Sequence, residues 1–409
     1  MLARIVAILL IATPLLAQPR PWDASLRRAA ELLEESYVDA DAAKKCAAHL
    51  RARLDTGAFA AATPAAFAAL VTNELRSACA DKHLELALRA APVAGDDPNG
   101  WMADLRERNY DFVRAERMAG NVGYLQVNSF PPPELAGATA EAAMAWLANS
   151  DAVIIDLRWN SGGAGTMVTL LASYFFAEPT LLSTTYRRAS NRTTENWTLP
   201  RVAGARMPKV PLFILTSSAT FSAAEAFAAP LQALKRATIV GEQTKGGANP
   251  GRNRRVDDLF DLFVPVGATR LTNDTTWEGA GITPDVRVPA REALITAHRA
   301  AVARAAAETT DATRRKELGW ISELLAGEPH VSPAELQRWA GRYGDREIIF
   351  TDGALFSSVD GGPRRRLHPL SASTFLVENA EQVRFRFEPT RLVIELSSGR
   401  EESVLKSVQ

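Results

Sequence analysis

The alternation of apolar and polar positions changes character several times along the chain. From about Pro21 to Leu88 the spacing is helical. Leu26, Ala29, Ala30 and Leu33 form one stripe, Ala47, Leu50 and Leu54 a second, and Phe67, Leu70, Val71 and Leu75 a third. Gly57 and Pro64 punctuate these stripes, which predicts a small bundle of about three helices. Leu84, Leu86 and Leu88 then alternate, predicting a strand that begins at His83. Ala91 to Asn99 is rich in Pro, Gly and Asp and reads as a linker.

The middle of the chain reads as buried strands alternating with helices. Asn121 to Val127 is a strand, Glu141 to Asn149 a helix, and Ala152 to Leu157 a continuous apolar strand carrying one acid. A Gly-rich turn, Arg158 to Gly165, leads into a helix over Thr166 to Phe176. Val210 to Leu215 is again a short apolar run, followed by the small-residue loop Thr216 to Thr220 and a helix over Ser222 to Leu234. Ala237 to Val240 and Leu259 to Val266 are further strands. Ala290 to Leu325 is helical and strongly charged. Beyond Val331 come Ile348 to Phe350, Ala354 to Ser357, Thr374 to Val377, Val383 to Phe387 and Leu392 to Leu396, with turns at Asp352-Gly353 and Gly361-Gly362. Regular short strands of this kind predict a small antiparallel sheet or barrel, suited to packing or to docking a ligand or substrate.

Composition narrows the function classes. The 47 basic side chains balance the 47 acidic ones, so no basic surplus points to nucleic acid or to an anionic membrane surface. Met1 to Ala17 holds one Arg ahead of an apolar run ending in a small residue, which predicts a signal peptide cleaved after Ala17 and an exported, periplasmic or extracellular protein. No later run is long and apolar enough to span a bilayer. Cys46 and Cys79 can pair in an oxidising compartment or stand as two buried thiols. No C-x-x-C or H-E-x-x-H occurs, so neither metal nor cofactor is expected.

Strand, polar loop and helix start at Val210 to Leu234 expose the Ser222 hydroxyl where the helix dipole favours developing negative charge. On spacing alone Ser222 is an ordinary helix cap. The Gly-rich turn lacks G-x-G-x-x-G and the Walker lysine, so it is no nucleotide cradle, yet its amides suit an oxyanion.

The run T-F-S-A-A-E at Thr220 to Glu225, followed by G-E-Q-T-K-G-G at Gly241 to Gly247, resembles the tail-specific (C-terminal processing) serine peptidase family. The branch it resembles contains the tricorn protease core and the repeats of interphotoreceptor retinoid-binding protein. Three further motifs follow that family: Asp81-Lys82-His83-Leu84; the D-x-R-x-N-x-G-G set Asp156, Arg158, Asn160, Gly162 and Gly163; and Trp277-Glu278-Gly279 running to Pro284-Asp285-Val286.

The resemblance implies Ser222 as nucleophile, His83 as general base and Glu278 as the acid completing the relay. It implies an oxyanion hole from Gly162 or Gly163 and Ala223, and a crotonase/ClpP-like ββα-spiral core. The expected organisation is a signal peptide at 1–17, a helical N-terminal domain at 18–92, a peptidase core at 93–289, a helical connector at 290–330 and a small antiparallel β domain at 331–409.

Some positions depart from the family. The PDZ-bearing relatives use a Ser–Lys dyad, and the position of that Lys is Gly247 here, with Lys245 two residues earlier. The stretch between His83 and Gly123 is too short for a PDZ domain. Lys82 replaces the Ser that bridges His and Glu in tricorn proteases. The expected partner is a peptide or protein substrate, with no nucleic acid. The competing reading is a non-catalytic module on the same fold that carries an apolar ligand, as retinoid-binding repeats do. An α/β-hydrolase or penicillin-interacting enzyme would need G-x-S-x-G or S-x-x-K, and neither surrounds Ser222.

Overall fold

The computed structural model describes residues 21–59, 63–89 and 100–407. The expected signal peptide at 1–17 and the linker at 91–99 lie outside the described residues. In chain order the helices are α1 (Asp23–Ser36), α2 (Ala40–Asp55), α3 (Pro64–Cys79), α4 (Gly100–Glu107), α5 (Pro133–Leu147), α6 (Gly165–Ser173), α7 (Ala223–Ala233), α8 (Ala290–Glu308), α9 (Ala312–Leu325) and α10 (Pro333–Gln337). The strands ahead of the C-terminal sheet are β1 (Glu85–Leu88), β2 (Phe112–Met118), β3 (Val122–Val127), β4 (Ala152–Asp156), β5 (Leu181–Arg187), β6 (Arg192–Trp197), β7 (Leu212–Thr216), β8 (Ala237–Gly241), β9 (Gly251–Arg255), β10 (Phe260–Pro265), β11 (Gly267–Leu271) and β12 (Val286–Arg287). The C-terminal sheet holds β13 (Gly341–Tyr343), β14 (Arg346–Thr351), β15 (Ala354–Val359), β16 (Arg365–Pro369), β17 (Thr374–Val377), β18 (Val383–Glu388), β19 (Arg391–Leu396) and β20 (Glu401–Leu405).

Two compact units result. The first comprises the described residues up to Arg89 together with Arg187–Asn191 and Pro250–Gly267. In it α1, α2 and α3 bear the three predicted stripes, except that Leu70, expected on the third, is exposed because it lies on the outer face of α3. Asp39 caps α2 by accepting from the Asp41 and Ala42 amides, and Thr63 with Pro64 starts α3. A disulfide joins Cys46 of α2 to Cys79 of α3. The bundle packs on an antiparallel sheet of order β1-β10-β9, where Leu86, Phe260, Leu262 and Val264 share a core with Phe67, Val71 and Leu75. The strand expected from His83 starts at Glu85 instead. His83 lies in the turn ahead of it, because the Asp81 carboxylate holds the His83 amide and bends the chain there. The hairpin β9–β10, read from sequence as part of the peptidase core, belongs to this helical unit.

The second unit contains a six-stranded sheet of order β12-β8-β7-β4-β3-β2, parallel except for the edge strand β2. Its four inner strands, β3, β4, β7 and β8, are buried on both faces, as a covered parallel sheet requires, while the edge strands β2 and β12 are largely exposed. Leu125, Val153, Ile155, Leu212 and Ile214 meet α5, α6 and α7 on one side; Tyr124, Ile154, Phe213 and Leu215 meet α8 and α9 on the other. Helix α8, expected as part of a connector, is therefore a layer of this core: Ala293, Ala297 and Ala301 let it lie close on the sheet. Strands β13 to β20 pair each with the next as an antiparallel meander, and a bridge from Tyr343 to Lys406 brings the last strand back to the first. The result is a nearly closed sheet. Among the described residues no helix is long and apolar enough to cross a membrane. The chain is thus a mixed α/β protein, and the loops after β4, β7 and β8 open at the carboxyl ends of parallel strands, where such folds place ligands.

Candidate active site

Ser222 follows β7 through a tight turn. The Ser217 amide donates to Thr220 Oγ1 at 2.9 Å, and the hydroxyls of Ser217 and Thr220 donate to the carbonyls of Arg158 and Leu157. These small polar residues therefore stitch the loop after β7 to the loop after β4. Ser222 itself sits at φ 53° and ψ −118°, a region costly for a residue with a side chain, directly ahead of α7. It is half-buried. The Ala223 amide is the first of α7 and has no intrahelical acceptor.

The loop after β4 is built by the D-x-R-x-N motif. Asp156 and Arg158 form a buried ion pair at 2.6 Å, Tyr124 donates its hydroxyl to Asp156 at 2.7 Å, and Arg158 also reaches the Ala290 carbonyl. Asn160 is fully buried. Its Nδ2 donates to the Val127 carbonyl at 3.0 Å, its Oδ1 accepts the Gly162 amide at 2.8 Å, and its own carbonyl accepts the Phe221 amide at 3.1 Å. Gly162 is pressed against the nucleophile loop: a Cβ there would stand 2.8 Å from Ser222 Cβ and 3.1 Å from the Ala223 nitrogen. Gly163, at φ 135°, could carry no Cβ, which would fall 2.2 Å from the Phe130 carbonyl oxygen. Because Asn160 takes the Gly162 amide, Gly162 is already engaged as a donor. Among the described residues the Gly163 amide has no acceptor.

Glu225, one turn into α7, is fully buried. Its Oε2 accepts the Ser222 amide at 2.9 Å and the Gly247 amide at 2.7 Å; its Oε1 accepts the Gly246 amide at 2.8 Å and the Thr244 hydroxyl. Burial pushes this carboxyl up, and the donors from Thr244, Gly246, Gly247 and Ser222 oppose that shift. Glu225 thus fastens the nucleophile to the turn after β8. Glu278 meets the same turn, its Oε2 accepting the Ala248 and Asn249 amides at 2.6 and 2.9 Å. Trp277 beside it is buried and donates to the Gly247 carbonyl at 3.1 Å. Lys245 places its Nζ 4.5 Å from the Phe221 ring centroid, next to the nucleophile in sequence.

His83 belongs to the first unit and is buried. Asp81 Oδ1 accepts the His83 amide at 2.9 Å and stands 3.9 Å from Nδ1, while Asp81 Oδ2 accepts the Tyr37 hydroxyl at 2.9 Å. Burial raises the Asp81 carboxyl, against the bonds from His83 and Tyr37. The Phe263 ring stacks on the imidazole at 6.0 Å. The second unit therefore gathers Ser222, Gly162, Gly163, Ala223 and Glu278 on loops at the strand ends, and the first unit presents His83 with a carboxylate behind it.

Two supporting residues went beyond the sequence reading. Glu225 carries the helix-start signature of an acid three residues after a Ser, but its partners at Thr244 to Gly247 are invisible locally. Asp81 lies inside the Asp81-Lys82-His83-Leu84 motif, for which the family resemblance implies a role for the His alone.

Residues 121–288 match the family profile described as Peptidase family S41, a span that includes Ser222, Glu278 and the Asn160 loop but not His83. The chain is 27% identical over 150 residues to the tail-specific protease of Haemophilus influenzae, covering 34% of this chain and 21% of that protein. It is 34% identical over 155 residues to the carboxyl-terminal-processing protease of Synechocystis sp., covering 37% of this chain and 33% of that one. The chain thus spans a fifth to a third of the length of these curated relatives. The tricorn protease structure overlaps 69% of this chain and 37% of its own at 13% identity with a TM-score of 0.45, a likeness too loose to weigh. Residues 121–288 are a peptidase family S41 domain, and the chain is a relative of the tail-specific and carboxyl-terminal-processing proteases.

Proposed function

We propose that this protein is a serine peptidase that hydrolyses peptide bonds through an acyl-enzyme. The observation that carries the reading is Ser222 itself: a half-buried hydroxyl at positive φ, at the start of α7, tied to a Gly-rich loop.

A Ser hydroxyl is a weak nucleophile and needs a base. His83 is that base, taking the Ser222 proton as Oγ attacks the scissile carbonyl and returning it to the leaving amine. Glu278 completes the relay by orienting the imidazole and stabilising the imidazolium. Asp81, 3.9 Å from Nδ1 and bonded to the His83 amide, fixes the turn that carries the ring. The negative charge on the tetrahedral oxygen is held by the Gly163 and Ala223 amides, each donor worth roughly 3 kcal/mol in the transition state. Water then attacks the acyl-enzyme with the same base.

The substrate is a peptide or protein. The core corresponds to the ββα spiral of crotonase-like proteins, a reading that rests on the family resemblance. The expected leader at 1–17 together with the Cys46–Cys79 disulfide supports export to an oxidising compartment. Turnover of an unstructured protein substrate by the wild-type chain, and not by a folded Ser222→Ala variant, tests the proposal.

A further inference from the structure

The C-terminal sheet has an inside. Side chains alternate along a strand, so residues two apart share a face. Ile348, Leu355, Leu367, Phe375, Phe385 and Phe387 are buried in one apolar core. Part of that interior is filled by rings: Phe387 stacks on Trp339 at 5.3 Å and meets the edges of Phe375 and Tyr343. The remainder is a cavity of about 320 Å³. Its walls share the interior face: Arg346 lies two before Ile348, Ser357 two after Leu355, Arg365 two before Leu367, and Val377 and Val383 two from Phe375 and Phe385.

Arg346 is out of place in such a wall. Its Nη1 donates to Ser357 Oγ at 3.1 Å, and its Cζ lies 5.0 Å from the Phe385 ring centroid. Among the described residues it makes no ion pair, although Asp345 and Glu402 are near enough to act on its charge. The sheet's outer face behaves differently. Arg384 and Arg386 both pair with Glu395, at 2.7 and 2.8 Å, and Arg391 pairs with Glu388 at 2.6 Å. Arg346 is half-buried; its guanidinium carries five donors in a planar fork that matches a carboxylate, and partly enclosing it without an anion is unfavourable. Arg365, exposed at the rim, adds a second positive charge. The cavity volume lies at the lower end of small-ligand sites.

We propose that the interior of this β domain binds a carboxylate carried on a small apolar group. Arg346 pairs with the carboxylate, and Val377, Val383 and Phe385 enclose the apolar part. Two sources share this chemistry: a free fatty acid of short chain, and the terminal carboxylate of a peptide ending in an apolar residue. The site is separate from the Ser222 chemistry, so its fate does not depend on the peptidase reading.

The test is calorimetric titration of the full Ser222→Ala chain, which removes turnover. The probes are octanoate against octanamide, and N-acetyl-Leu-Leu with a free carboxyl against its amide. At least one acid is expected to bind saturably, its amide about tenfold or more weaker, as loss of a charge-assisted pair requires. Arg346→Gln is expected to bring the acid down to the affinity of the amide. Binding of octanoate alone identifies a free fatty acid as the source, and binding of the peptide acid alone identifies a chain end. Equal affinity for acid and amide, or no saturable binding of either acid, overturns the proposal on a chain unaltered in this domain. Unchanged acid binding by folded Arg346→Gln overturns it too.

Discussion

The Phe221 amide donates to the Asn160 carbonyl at 3.1 Å, and with the Ser217 and Thr220 hydroxyls this bond links the two loops on which the chemistry depends. Asn160 is buried between β3 and the Gly-rich turn, so the register of the Gly162-Gly163 amides and the position of Ser222 are set together.

Asn160→Ala removes the acceptor of the Gly162 amide and the donor to the Val127 carbonyl. Leaving buried polar groups unsatisfied is expected to lower stability by about 1–3 kcal/mol. The displaced turn is expected to lower kcat roughly a hundredfold, with KM changing far less. Denaturant unfolding alongside steady-state kinetics checks both. A stable variant with unaltered kcat contradicts the linkage.

Glu225→Gln preserves shape but not charge. Each Glu225 oxygen accepts two donors, so the new amide NH2 must face two of them in either orientation. A cost of about 1.5–3 kcal/mol is expected, together with a fall in kcat because the Ser222 amide loses its anchor. Thermal unfolding and turnover of the purified variant measure the two effects. Wild-type values in both would remove Glu225 from the account.

The choice of base separates two mechanisms. Lys245 lies against Phe221, while His83 has Asp81 behind its ring. His83→Ala is expected to lower kcat/KM by on the order of 10⁴-fold or more, and Lys245→Ala by less than about tenfold. The two variants are to be assayed side by side on one substrate. Loss confined to Lys245→Ala would make Lys245 the base.

Stability should fall on mild acidification because of His298. This imidazole is buried in α8, with Nε2 at 2.7 Å from the Ala119 carbonyl. Burial depresses its pKa below the ordinary 6.5, against the opposing pull of the Ala119 carbonyl, Glu381 and Glu116. The unfolded chain therefore takes up the proton first as pH falls. Stability is full above 6.5, declines through the window between 6.5 and the depressed folded value, and levels off below it. His298→Gln, which retains a donor for Ala119, should flatten that slope. An unchanged slope in the variant assigns the acid sensitivity elsewhere.

Sequence reading found what is local and apolar. The strand expected at Val210–Leu215 appears as Leu212–Thr216, and the helix expected at Ser222–Leu234 as Ala223–Ala233. Both are continuous apolar or amphipathic runs with clear stops. It did not find the strands Arg365–Pro369 and Glu401–Leu405, whose charged residues hide the alternation. Nor could it assign β9 and β10 to the helical unit, because Phe260, Leu262 and Val264 read equally well against any apolar partner. At the site, the motif residues were legible as a set, but their jobs were not. Asn160 works through Val127, Gly162 and Phe221, and Glu225 through Thr244, Gly246 and Gly247, contacts that only the fold brings together.

The central claim is that Ser222 is an activated nucleophile, and covalent labelling tests it most directly. The purified chain is treated with a fluorophosphonate and the modified residue mapped by peptide mass spectrometry. The account predicts one adduct on Ser222, none in folded Ser222→Ala, and labelling of His83→Ala slowed by on the order of a hundredfold or more. An adduct on another residue, or labelling that persists in Ser222→Ala, would contradict it.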